Sequence, residues 1–400
     1  MPPKPPDQPH SPPRSACATT IQARPRLNIE RLLGRDVVGS ATTHAPDIAE
    51  MFADKRVLVT GAGGSIGSEL CRQLAEYGPS RLILVDNSEN NLFDIDNAIR
   101  GQIGYRASPC LVDTRERVSL ARLFSSERPE VVFHAAAYKH VPMTELHPAA
   151  AIRNNVFGTQ RLCEAAVAHG VGRFVMVSTD KAVNPTNIMG ASKRLAEMVV
   201  HEHALRAPDS QFVCVRFGNV LGSRGSVLHT FYRQIEAGGP ITVTHRGVTR
   251  FFMTIPEAVG LLIQAGAKGR SHHVLLLEMG EPVRIYDLAE RMIRAMGRTL
   301  DDIKIELIGL RPGEKLFEEL LLDHEVTTSS GISGVLSAVA KPMNSRLLER
   351  VLDNLALAVR DADHESIRRI LAATTNYQPT GVPANSSPEA AEAERRTASR

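Results

Sequence analysis

Arg56 to Thr60 form a short, β-branched apolar run that passes directly into Gly61-Ala62-Gly63-Gly64-Ser65-Ile66-Gly67 and then into the helical pattern of Ser68 to Glu76. A buried strand, a glycine turn and an amphipathic helix in that order leave few folds open. Gly61 lets the turn tighten, Gly64 lets backbone approach a pyrophosphate, and Gly67 lets the helix pack closely on its strand. The helix N-terminus then faces the phosphates. Gly61, Gly64, Ser65, Ile66 and Gly67 are therefore the expected dinucleotide contacts.

The unit repeats along the chain. Further strands are expected at Arg81 to Val85, in a run ending Cys110-Leu111-Val112, and at Val131 to His134, Phe174 to Val177 and Phe212 to Val215. Helices are expected at about 149–169 and 191–204. Short β-branched runs alternating with longer helices predict an α/β fold, a doubly wound parallel sheet of Rossmann-like form. Ligands of such sheets cross the carboxyl ends of the strands. That places Ala135, Ala136, the run Ser178-Thr179-Asp180-Lys181 and Gly218-Asn219 around one crevice. Asp86, ending the second strand, suits a ribose diol and would repel a 2′-phosphate, so NAD+ is expected rather than NADP. Asp113 either meets the adenine edge or caps the helix before Arg115.

Composition narrows the partners. A net charge of +3 and a pI of about 8.6 over 400 residues do not call for nucleic acid, and with no Trp there are few stacking platforms. Cys17, Cys71, Cys110, Cys163 and Cys214 are far apart and odd in number, which suggests buried thiols and neither a disulfide framework nor a metal site. No apolar stretch reaches the ~20 residues that cross a bilayer. A cytoplasmic setting is the default. The Pro-, Ser- and Arg-rich residues 1–27 and the polar residues 376–400 are expected to remain mobile tails.

Taken together, the motifs resemble the extended short-chain dehydrogenase/reductase superfamily, through Gly61, Gly64 and Gly67 and the helix Asn155-x-x-Gly158-Thr159. More narrowly, they are similar to polysaccharide-biosynthesis proteins of the UDP-N-acetylglucosamine 4,6-dehydratase type. The matching segments are His134 to Pro142, Val177 to Lys181 with Asn184 to Asn187, Val215 to Ser223, Thr249 to Ala258 and Gly309 to Leu316. Members of that group carry either tyrosine or methionine at the position of Met189. This chain resembles the long, methionine-bearing forms in its site and in the leader Ile29 to Arg35, and is expected to correspond to their soluble catalytic portion.

The resemblance implies a reaction on UDP-N-acetylglucosamine: oxidation at C4, loss of water across C5 and C6, and hydride return to C6, with retention at C5. Thr179 would hydrogen-bond the C4 oxygen. Asp180 would act as acid on the C6 hydroxyl, and Lys181, if its pKa is lowered, would take the C5 proton. Lys193, four residues after Met189 on one helix face, would hold the nicotinamide ribose. Met189 cannot act as a base and is expected to pack against sugar or nicotinamide, leaving the group that takes the C4 hydroxyl proton open. Alternatives are a UDP-sugar 4-epimerase, a 5,6-dehydratase, a dehydratase of another UDP-hexose, and a silent NAD-binding scaffold.

From Gly222 the alternation weakens, and 221–250 with 279–330 are expected to form a smaller C-terminal substrate domain, following a leader at 28–50 and an NAD-binding domain at 51–220 completed by parts of 251–278. Residues 331–375 are expected to be helical. Arg250 and Arg311 are candidate diphosphate clamps, since guanidinium forks suit phosphate. Asn219 is assigned to the diphosphate or sugar, Ser226 and Val227 to the uracil-ribose side, Glu314 to the uridine ribose or nearby backbone, and Lys139 and His140 to the substrate. His134 is expected to be structural. The resemblance also implies a homo-oligomer, at least a dimer.

Overall fold

A computed structural model describes Leu32 and residues 46–379, except 103, 323, 324 and 341. The expected tails, apart from residues 376–379, and most of the leader lie outside the described residues, as does Cys17.

Strand Arg56–Thr60 lies third from one edge of a nine-stranded sheet. From edge to edge the order is Thr327–Ile332, Val335–Val339, His273–Leu277, Gln211–Arg216, Arg173–Val177, Val131–His134, Arg56–Thr60, Arg81–Asp86 and Ser108–Leu111. All pairings from Ser108–Leu111 through His273–Leu277 are parallel. The fold is thus the expected α/β doubly wound sheet, and its strand order reverses beside Arg56–Thr60, where such sheets open a crevice.

Side-chain alternation builds a core on each face. Val57 and Val59 join Leu70, Leu74, Leu92, Leu262 and Ile263 on one side, while Leu58, Ile83 and Val85 join Phe124, Leu162, Ala196 and Val200 on the other. A third apolar cluster collects Leu221, Phe231, Ile241, Phe252, Leu288 and Ile293 beyond the carboxyl end of strand Gln211–Arg216. Leu32, from the leader, is buried in it, and its carbonyl accepts the Arg291 guanidinium at 3.0 Å. In a fourth, the helices Ser345–Arg360 and His364–Thr375 pack on Ile188, Leu195 and Val199.

Two expectations change. Helix was expected from residue 331, but Thr327–Ile332 and Val335–Val339 form an antiparallel hairpin that extends the main sheet along His273–Leu277. Gly331 and Gly334 have positive φ values of 73° and 77° and turn the chain between the strands, so the preceding region is also shorter than the sequence suggested. The helix expected over 149–169 is interrupted by a π-helical turn at Ile152–Phe157. That turn places Asn155 so that its Nδ2 reaches Tyr138 O at 3.0 Å and Ser192 Oγ at 2.9 Å.

Candidate active site

The glycine turn is shaped by contacts that exclude side chains. Gly61 has a φ of 65°, and a Cβ there would lie 2.8 Å from the Ala136 backbone; one at Gly67 would lie 2.0 Å from the Gly61 carbonyl oxygen. Backbone therefore stands open to a diphosphate at the start of helix Ser65–Glu76. Beside it a pocket of about 190 Å³ is lined by Gly61, Gly64, Asp86, Val112, Thr114, Ala135 and Ala136. Asp86 Oδ2 accepts the Gly63 amide at 3.0 Å and Oδ1 that of Ser88 at 2.9 Å. Its carboxylate shapes the turn and retains lone pairs for a diol. Asp113 is different. Both of its oxygens accept from the Arg115 guanidinium and one also accepts the Arg115 amide, so Arg115 holds it below the usual carboxylate range. Val112 and Thr114 line the pocket in its stead.

A cleft of about 760 Å³ adjoins the turn. Ser65, Ile66 and Ala135 line it together with Lys139, His140, Thr179, Lys181, Met189, Lys193, Asn219, Ser226 and Val227. The Ser178–Lys181 segment is delivered by strand Arg173–Val177. Beyond it, the Ser178 amide donates to Val215 O at 2.7 Å and the Asp180 amide to Phe217 O at 3.1 Å, so the chain stays tied to its neighbour until it turns at Asp180–Ala182. Thr179 Oγ1 donates to Asp180 Oδ1 at 2.9 Å. Asp180 is fully buried behind the cleft, and its Oδ2 has no hydrogen-bond partner among the described residues.

Lys181 Nζ donates to Asp180 Oδ1 at 2.9 Å and to Asn219 Oδ1 at 3.1 Å, and lies 3.7 Å from Glu318 Oε1. Burial pulls its pKa down, but the charges of Asp180 and Glu318 outweigh burial and hold it above the usual lysine range. The condition under which the sequence reading made Lys181 a base, a lowered pKa, is not met in this geometry, where its ammonium form is favoured.

Helix Ile188–Arg206 begins three residues earlier than expected, because Asn187 Oδ1 caps it by accepting the Gly190 amide at 2.8 Å. Met189 and Lys193 thus sit one turn apart on a face that lines the cleft. Lys193 is buried and makes no hydrogen bond or ion pair with any described residue; burial lowers its pKa to about 8. His134 is structural. Its ring lies between Thr60 Oγ1 at 2.7 Å and Thr159 Oγ1 at 2.9 Å, and burial, with Lys193 nearby, lowers it to about 3.

The two arginine clamps are not brought to the cleft. Arg250 is buried and donates to the carbonyl oxygens of Thr249 at 2.7 Å, Lys315 at 2.9 Å and Leu316 at 3.3 Å. Its fork is occupied by the 314–318 segment and cannot also take a diphosphate in this arrangement. Arg311 is exposed and absent from the lining, and Glu314 accepts from Thr244 Oγ1 and the Arg311 amide.

Sequence reasoning missed three groups. Glu318 lies two residues beyond the last motif residue noticed, Leu316. Arg224 spans the cleft mouth, its amide donating to Ser65 Oγ at 2.9 Å and its guanidinium to Asn91 Oδ1 at 2.7 Å; its place in Gly222-Ser223-Arg224-Gly225 was the available signal. Glu197 and Arg216 support the segment from behind, and no local pattern announced that they would meet.

Comparison with protein families matches residues 57–339 to "polysaccharide biosynthesis protein". The capsular polysaccharide biosynthesis protein CapD of Staphylococcus aureus is 48% identical over 303 residues, 75% of this chain and 50% of that protein, so the chain spans about half the length of this relative. A UDP-glucose 4-epimerase of Rickettsia canadensis (strain McKiel) is 33% identical over 70% of this chain and 82% of its own. Among solved structures, Pen from Bacillus thuringiensis superposes with a TM-score of 0.66 at 33% identity, covering 74% of this chain and 89% of Pen.

Proposed function

This chain belongs to the polysaccharide biosynthesis protein family, and we propose that within it the protein is an NAD-dependent 4,6-dehydratase of UDP-N-acetylglucosamine. The observation that carries the reading is a single cleft wall holding an unpaired buried Lys193 beside Thr179 and the Asp180–Lys181 pair, with Met189 where a tyrosine base would stand.

The cofactor is NAD+. The turn fits it: backbone crowds the Cβ positions at Gly61 and Gly67, so only glycine permits so tight a turn, and Gly64, Ser65, Ile66 and Gly67 line the cleft at the helix N-terminus. Gly61, Gly64, Ser65, Ile66 and Gly67 would hold its diphosphate, Asp86 its adenosine ribose, and Lys193 its nicotinamide ribose. When bound, NAD+ supplies the group that takes hydride from C4 and returns it to C6.

The remaining steps belong to the chain. Thr179 holds the C4 oxygen and relays its hydroxyl proton to water in the cleft as hydride leaves, and the ketone so formed acidifies the C5 hydrogen. Lys181 accepts the C5 proton only after its own proton has left. Asp180 touches it at 2.9 Å, and a proton passed from Lys181 to Asp180 leaves a neutral amine for C5; Asp180, buried behind the cleft, delivers that proton toward the departing C6 hydroxyl through Thr179, whose Oγ1 contacts its Oδ1 at 2.9 Å. Met189 packs against the sugar. Lys139, His140, Asn219, Ser226 and Val227 supply the lining for the UDP-sugar, while Arg311 and Glu314 lie outside it. C5 retention, a homo-oligomer and a cytoplasmic setting complete the reading; among the described residues no helix is long and apolar enough to cross a membrane.

Incubation of the chain with NAD+ and UDP-N-acetylglucosamine, followed by mass spectrometry, tests it. A product lighter by one water supports dehydration. An isomer of equal mass would make the protein an epimerase, and no change with any UDP-sugar would reject catalysis.

A further inference from the structure

Lys181 is gripped from two directions. Asp180 is its neighbour in sequence, whereas Glu318 comes from a segment more than a hundred residues later and places Oε1 3.7 Å from Nζ. The Glu318 side chain is 4% exposed, and its Oε2 has no hydrogen-bond partner among the described residues. A buried carboxylate with a free oxygen is costly unless a cation stands nearby. Two do: Lys181, and Arg250, whose Nε lies 3.6 Å away.

The placement is firmly held. Gly313 O accepts from Thr186 Oγ1 at 2.9 Å and Asn187 Nδ2 at 3.0 Å, Lys315 Nζ donates to Val183 O at 3.0 Å, and Arg250 binds the carbonyls of Lys315 and Leu316. A Cβ at Gly313 would lie 2.7 Å from Asn187 Cβ, so the two segments are in direct contact. The loop carrying Glu318 is therefore pinned to the loop between Lys181 and Met189.

We propose that Glu318 is a positioning residue that governs the charge of Lys181, holding the ammonium in place beside Asp180 until substrate enters. This rests on the dehydratase reading for its purpose, but the contact itself does not. Asp180, Glu318 and Arg250 are the charged groups facing Lys181, and Asn219 is its neutral partner. Removing the Glu318 charge leaves one carboxylate against Arg250, so Lys181 loses its proton more readily.

Carbamylation by cyanate, which requires the neutral amine, reads this out without turnover. Peptide mass spectrometry compares Lys181 with Lys139, which lines the same cleft, in the wild type, Glu318→Gln, Glu318→Asp and Glu319→Gln. The last alters the same segment, where Glu319 pairs with Lys315 at 3.1 Å, without touching Lys181. Glu318→Gln is expected to raise Lys181 labelling relative to Lys139 about tenfold, the effect of about one pKa unit. Glu319→Gln should not. If Glu318→Gln fails to fold, Glu318→Asp, which draws the carboxylate back, must show the same direction. Unchanged labelling in a folded Glu318 variant, or an equal rise in Glu319→Gln, overturns the proposal. Where UDP-sugar turnover is measurable, the kcat limb assigned to Lys181 moves to lower pH in Glu318→Gln with KM little changed; absence of all turnover rejects the dehydratase reading and leaves the labelling result to decide Glu318.

Discussion

Arg216 and Glu197 meet as a two-pronged ion pair, Nε to Oε1 and Nη2 to Oε2 both at 2.8 Å, with 0% exposure of either side chain. Glu325 takes the other side of the guanidinium at 2.7 Å and 3.0 Å, and Glu197 also accepts Ser178 Oγ at 2.7 Å. Arg216 holds the Glu197 pKa far below the usual range despite burial. The pair joins strand Gln211–Arg216 to helix Ile188–Arg206 directly behind Thr179.

Glu197→Ala should be severely destabilising, because it leaves Arg216 buried with half its partners gone. A loss of about 3–5 kcal/mol is expected. Urea unfolding measures it, and a loss under about 1 kcal/mol would contradict the account.

Gly190 lies where the capped helix passes under the Asp180–Ala182 turn, and a Cβ there would stand 2.0 Å from the Lys181 carbonyl oxygen. Gly190→Ala must push that turn away. Turnover of the UDP-sugar is expected to fall about 100-fold, while NAD+ affinity, set mainly by the distant glycine turn, changes little. Calorimetry and steady-state rates separate the two; equal losses in both would point to general misfolding.

Lys193 trades stability for function. Its folded pKa is about 8 against an ordinary 10.5, so below pH 8 the cofactor-free fold must carry a buried, unpaired charge that the unfolded chain carries in water. The penalty is full below about pH 8 and fades as pH rises toward 10.5. Lys193→Met should therefore be more stable than wild type at pH 7, by up to ~3 kcal/mol, with the gap closing at high pH and NAD+ binding weakened. Thermal melts at pH 7 and 10 check the sign.

Acid should weaken the fold through its histidines. Burial holds His134 at about 3 and His201 at about 4, against 6.5 in water. The unfolded chain binds protons first, so stability falls as pH drops from about 6.5 toward 4. Neither ring nitrogen of His201 has a hydrogen-bond partner among the described residues, so His201→Leu forfeits no such bond. The variant is expected to flatten the profile between pH 4 and 6.5, by up to ~3 kcal/mol; a slope equal to the wild type's would place the acid sensitivity elsewhere.

The parallel strands from Arg56–Thr60 to Gln211–Arg216 were legible because each is a short apolar run bounded by a turn, while their order in the sheet came from the structure. The hairpin at 327–339 was not, since Val335 to Val339 carries too little alternation to separate a strand from a buried helix. Thr179, Lys181, Met189 and Lys193 were found and do share one cleft. Arg250 was expected to clamp a diphosphate, but its fork is taken by carbonyls and carboxylates of its own chain.

The local pattern by itself determined that a glycine turn follows a buried strand, that the sheet is doubly wound, and that Asp180 precedes Lys181 beside a helix bearing Met189 and Lys193. These depend on neighbours a few residues apart, whose spacing is visible in the chain. Only the tertiary structure decided that Lys181 is charged, that Arg250 is spent on the 314–318 segment, and that Glu197 and Arg216 neutralise one another. Charge and hydrogen bonding in a buried site depend on which distant groups arrive within a few ångströms, and Glu318, reaching Lys181 across 137 positions, leaves no trace in local sequence.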